Sequence, residues 1–191
     1  MKSLPLSQAR QKIRKLRKDL VALENAGRFE CFRITKLQTI SGLCKDKEDL
    51  CHFAFFIANK VAEKIVEKEE ETPRIKKSVE KAIHLMSLYL EDPTKDREEE
   101  LYSHYSEMKN YQNKTRGASW GTAVRTINNW DYYLIEACLR CFLYKDHPKE
   151  GYQLAKDYCE KYNSSRGTGL IPESIPFLTD VVEFWEKWYF D

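Results

Sequence analysis

Gly117-Ala118-Ser119-Trp120-Gly121 fits G-x-S-x-G, the spacing that presents a serine nucleophile on a strained strand-to-helix turn above a parallel sheet. The chemistry would be acyl transfer, which needs a strand before the serine and a histidine after it. The preceding residues (SEMKNYQNK) are polar and helix-forming, and the one downstream histidine is His147. Ser119 therefore reads as a helix N-cap. Cys138-Leu139-Arg140-Cys141 has the C-x-x-C spacing of a dithiol redox pair. Such a pair works at a helix N-terminus, where the dipole lowers the thiolate pKa, whereas this one falls mid-helix and is expected to be buried and inert. Cys44, Cys51 and His52 come nearest to a zinc set, but the gap between the two cysteines is longer than structural zinc sites use. Glu80 with His84 and Glu100 with His104 are spaced one residue too far for the E-x-x-H of di-iron bundles and read as ordinary helix residues. No Walker loop, dinucleotide fingerprint, EF-hand or HExxH occurs, and no cofactor or metal is expected.

Two cationic groups remain. Arg116, Trp120, Arg125, Trp130 and Arg166 lie around two segments expected to be loops at the ends of neighbouring helices. Arginines beside helix N-termini would make an anion or carboxylate site, because guanidinium and free backbone N–H groups both donate. The alternative is that the tryptophans are core and the arginines solvated. The second group is the N-terminus. Residues 1–28 carry eight Lys/Arg, among them Arg10, Arg14 and Arg17, against Asp19 and Glu24, a charge of +6. With +2 on the whole chain, the difference leaves −4 on the remainder. A basic helix on a slightly acidic body suits nucleic acid, an anionic membrane or an acidic partner; it would equally serve as a solvated face or pack near the acidic run Glu67–Glu71.

The elements that must position these residues follow from the composition. At 191 residues the chain is long enough for one domain with its own core, and 42% hydrophobic with 32% charged residues fits a globular protein with a charged surface. Glycine (7) and proline (6) are scarce, which favours helices over turn-rich β architecture. The six cysteines are even in number, but the N-terminus lacks the apolar run of a signal peptide, so reduced thiols and a cytoplasmic location are expected. No apolar run approaches the roughly 20 residues that a membrane span requires.

Periodicity supplies the helices. Leu6, Ile13, Leu16, Leu20 and Leu23 recur at 3/4 spacing ahead of Gly27, predicting a helix over 7–26 that either docks on the chain or pairs with a second copy. Residues 29–43 mix helical spacing with strand-like FRIT and are read as helix. Asp46 caps a helix running to about Lys68, and Thr72-Pro73 opens another. After Asp92-Pro93-Thr94 a helix with a thin, polar stripe is expected on the outside, followed by a loop at 113–121. Tyr132–Tyr144 (YYLIEACLRCFLY) is charged only at Glu136 and Arg140 and forms the centre of a helix expected over 119–145. Pro148 opens a helix to Tyr162, 163–172 is a loop, and Ser174 caps the last helix.

The sequence thus predicts an all-α protein, a single compact bundle of seven to eight helices around the 119–145 helix, with residues 1–27 as a basic helix or arm and 28–191 as the helical domain. Its function is read as a non-enzymatic, cytoplasmic interaction or regulatory module that binds another protein through a helical groove, the basic first helix or both, or associates with itself through that helix. The alternatives are nucleic-acid binding through that helix and, after it, an enzyme with an arginine-lined anion site.

Overall fold

The computed structural model describes residues 5–26, 39–40, 42–67, 73–117, 129–145, 147–163 and 174–190. Among these residues the fold is all-α, with seven helices and no strand: α1 (Leu6–Ala26), α2 (Lys47–Glu67), α3 (Pro73–Glu91), α4 (Lys95–Gly117), α5 (Asn129–Leu143), α6 (His147–Asn163) and α7 (Ser174–Phe190). Local chemistry sets their ends. Asp46 Oδ1 accepts the Asp49 N–H at 2.9 Å and so caps α2, whose first turn carries Glu48 and Asp49 against the positive end of the dipole. Thr94 plays the same part for α4, accepting the Arg97 N–H at 3.4 Å. Proline at 73 opens α3, and Pro93 separates α3 from α4.

One expectation changes. Residues 113–117 are not loop; α4 runs through Gly117, because Asn, Lys, Thr and Arg are tolerated in a helix and no proline stops it before the glycine. α4 buries a thin stripe, Leu101, His104, Tyr105 and Met108, while Tyr102 beside it is 61% exposed. Of the helix expected over 119–145, the described part is Asn129–Leu143, and residues 119–128 lie outside the described residues. So do 29–38, Thr72 and most of the loop expected at 163–172; Thr39 and Ile40 are helical.

The chain divides into two compact units, Met1–Phe53 with Asp146–Asp191, and Ala54–Lys145. In the first, α7 packs against both α1 and α6. Its core is aromatic: the Trp185 ring stacks on Phe53 at 5.3 Å and on Tyr189 at 5.9 Å. Cys44 lies so close to α6 that a Cβ built on Gly151 would stand 2.8 Å from the Cys44 Sγ. A buried carboxylate joins the start of α2 to the end of α7. Asp49 Oδ1 accepts the Trp188 indole N–H at 2.8 Å, and the Tyr189 hydroxyl lies 3.3 Å from both carboxylate oxygens.

In the second unit, α3, α4 and α5 pack on one another. Leu134, Ile135, Cys138, Leu139, Cys141 and Phe142 of α5 have no exposure, so this helix is the buried one that the sequence implied. Its two charged residues divide: Glu136 is buried and Arg140 is half-buried.

Candidate functional site

Helix α1 is built with two faces. Ala9, Ile13, Leu16 and Leu20, spaced four, three and four residues apart, fall on one side and are buried, and α1 packs on α7. Burying that stripe leaves the opposite side to solvent. There Arg10, Arg14, Lys15 and Lys18, with Ser7 and Gln11, line a groove of about 850 Å³ completed by Lys12 and Thr39. No carboxylate occurs among its described lining residues.

Among the described residues the charge lining the groove is wholly positive. Lys12 has its pKa lowered from the ordinary lysine value, first by partial burial and then by repulsion from Lys45 and Lys15. The first turn of α1 carries no acidic residue, so the positive end of the helix dipole adds to the same field. The Arg10 guanidinium lies 5.3 Å from the centroid of the Phe190 ring, which fixes one wall of the groove by a cation–π contact. Anionic groups entering the groove would relieve the repulsion among these side chains and gain charge-assisted hydrogen bonds.

Of the three arginines singled out on this helix, Arg10 and Arg14 line the groove. Arg17 does not. Its guanidinium donates to Glu186 Oε1 of α7 through Nη2 at 2.7 Å and Nε at 3.0 Å, a pairing that raises its pKa and commits it to holding α1 on α7. Spacing alone could not have separated Arg17 from Arg14, because the partner lies 169 residues away in sequence. Lys12, Lys15 and Lys18 were visible as charge but could not be assigned to a face shared with Thr39.

The arginine–tryptophan group is not assembled among the described residues. The backbone of Arg116 lies in the last turn of α4 and that of Trp130 in the first turn of α5, while Trp120, Arg125 and Arg166 fall outside the described residues.

The remaining motifs acquire definite surroundings. Gly117 ends a helix, not the strand that a nucleophile elbow requires. Cys138 and Cys141 are fully buried on α5, and the Cys141 thiol donates to the Ala137 carbonyl at 3.3 Å. Cys44 and Cys51 are likewise buried, and burial, reinforced by Asp49, holds the Cys44 thiol well above its usual pKa. The His52 ring lies against Trp188 with centroids 4.2 Å apart, and its pKa is lowered by partial burial. Glu80 and His84 are exposed, whereas Glu100 and His104 part company, with Glu100 in solvent and His104 buried. No helix among the described residues is long and apolar enough to cross a membrane.

The chain matches no protein-family model, no curated protein and no solved structure.

Proposed function

We propose that this protein is a non-enzymatic interaction module whose α1 groove receives a short acidic segment of another protein. The observation that carries the reading is the groove itself: Arg10, Lys12, Arg14, Lys15 and Lys18 face one concavity with no carboxylate among its described lining residues. From Ser7 to Lys18 the helix rises about 16 Å at 1.5 Å per residue, the length of about five extended residues.

A short acidic peptide fits better than nucleic acid for two reasons. The described lining offers no aromatic ring on which a base could stack. The chain outside residues 1–28 is net negative, so a long polyanion would be repelled by the rest of the molecule while a short one need meet only the groove. Pairing of α1 with a second copy is disfavoured because Ile13, Leu16 and Leu20 of its apolar stripe are already buried within the chain, leaving Leu6 and Val21 as its exposed large apolar side chains among the described residues.

The test is fluorescence anisotropy of a labelled glutamate-rich peptide and of a labelled DNA duplex. These are titrated with the wild-type chain and with the Arg14→Glu/Lys18→Glu variant, whose substitutions lie on the exposed face. The expected result is saturable peptide binding that the variant loses while its far-ultraviolet circular dichroism is unchanged. Tighter binding of the duplex would move the assignment to nucleic acid, and equal peptide binding by both chains would remove α1 as the site.

A further inference from the structure

The unit formed by Ala54–Lys145 contains a second cationic concavity, unrelated to α1, where α3, α4 and α5 meet. It encloses about 230 Å³, too small for a peptide and large enough for a small anion. Arg74, Lys77 and Lys81 reach it from α3, following the helix at spacings of three and four residues. A single described carboxylate lines it, Glu107, and that group is already shared. It lies 3.5 Å from the Lys81 Nζ and 3.2 Å from the His104 Nδ1, and those neighbours hold its pKa below the usual carboxylate value. The His104 Nε2–H donates to the Ser78 carbonyl at 2.8 Å, which locks the buried ring in place. Arg74 lies over the Tyr111 ring, 5.1 Å from its centroid, and meets no described carboxylate in the cleft.

The floor adds an independent indication. The Tyr132 hydroxyl and Ser78 Oγ are 3.1 Å apart, and Tyr132 is 4% exposed. Two hydroxyls carry two hydrogens, and one hydrogen makes the bond between them. The other has no acceptor among the described residues, and both side chains line the cleft, so it is available to a group bound there. The cleft therefore combines surplus positive charge, a spare hydroxyl donor and an aromatic edge in a space of a few non-hydrogen atoms.

We propose that this cleft binds a small phosphate-type dianion, with Arg74 and Lys77 holding its charge and the Ser78–Tyr132 hydroxyl pair donating to one of its oxygens. The chemistry is shared by inorganic phosphate and by a phosphate monoester whose organic part would rest on Tyr111. Isothermal titration of the full chain with inorganic phosphate and with phenyl phosphate tests it. Saturable binding is expected, weakened about tenfold or more by Arg74→Ala and by Lys77→Ala, since each removes a charged donor. Tyr132→Phe should weaken it through the lost hydroxyl, and Lys77→Ala, at an exposed position, controls for unfolding. The Arg14→Glu/Lys18→Glu variant should bind like the wild type, so this outcome is independent of the α1 assignment. Tighter binding of phenyl phosphate identifies a monoester site, and equal binding a free phosphate site; either upholds the proposal. Absence of saturable binding to both probes, or equal affinity in Lys77→Ala and the wild type, would overturn it.

Discussion

Asp49 is a carboxylate with 1% exposure, and the structure supports it with donors from a distant helix. The Tyr189 phenol is pushed far up by burial and by the adjacent Asp49, burial raises Tyr132, and burial with Tyr144 and Glu136 pushes Tyr105 up to about 12. For each of these groups the folded state favours the protonated form, so stability is complete below the unfolded pKa near 10 and is lost as pH rises through the folded value. The Cys44 thiol follows the same sign from its ordinary value of 9.0. The denaturant midpoint should therefore hold between pH 7 and 8, begin to fall near pH 9 and drop steeply above 10, together with phenolate absorbance near 295 nm. A midpoint unchanged to pH 12 would contradict this assignment of buried phenols. None of this was legible in the sequence. Asp49 looks like one more acidic residue in a first turn, and its partners Trp188 and Tyr189 lie 139 and 140 residues away. The buried His104 was equally hidden, because E-x-x-x-H directed attention to Glu100 and not to Glu107 or Ser78.

At the scale of elements, helices were the most legible feature, because an apolar stripe at 3.6-residue spacing requires only local information. Ile13, Leu16 and Leu20 announced α1; Ile75, Val79, Ala82 and Met86 announced α3; both stripes are buried. Boundaries were legible where a side chain caps a helix, as at Asp46 and Thr94, and were lost at 113–117, where polar composition resembles a loop. Close approach between elements was not legible, and Gly151 is the example. The α6 backbone passes against Cys44, so Gly151→Ala forces the two elements apart although alanine is the better helix former. The expected cost is about 1–3 kcal/mol in chemical denaturation, the usual range for overpacking a tight contact. A neutral or stabilising effect would mean that α6 does not sit against Cys44. The groove depends on the same kind of placement, since α1 is held on α7 by its buried stripe and by the Arg17–Glu186 pair. The exposed pair contributes about 1 kcal/mol or less, so the apolar stripe does most of the holding.

For the whole molecule, the sequence conveyed the all-α class through its few glycines and prolines and its repeated stripes. The division of the chain into two units was not legible, because Met1–Phe53 joins Asp146–Asp191 through long-range packing that no periodicity encodes. Charge was legible as a total and as an asymmetry, +6 over residues 1–28 against −4 beyond, but the segregation of basic side chains into one groove required the fold. On the proposed reading a partner of α1 is held by exposed cations, and such attraction is screened over about 8 Å at physiological ionic strength. The most direct measurement is the affinity of the full chain for the glutamate-rich peptide across a salt series, beside a chain carrying Lys18→Ala. The logarithm of the affinity should fall linearly with the logarithm of salt concentration, with a shallower slope for the variant because one ion contact is missing. A flat response, or identical slopes for the two chains, would contradict the assignment of the α1 groove as the binding site.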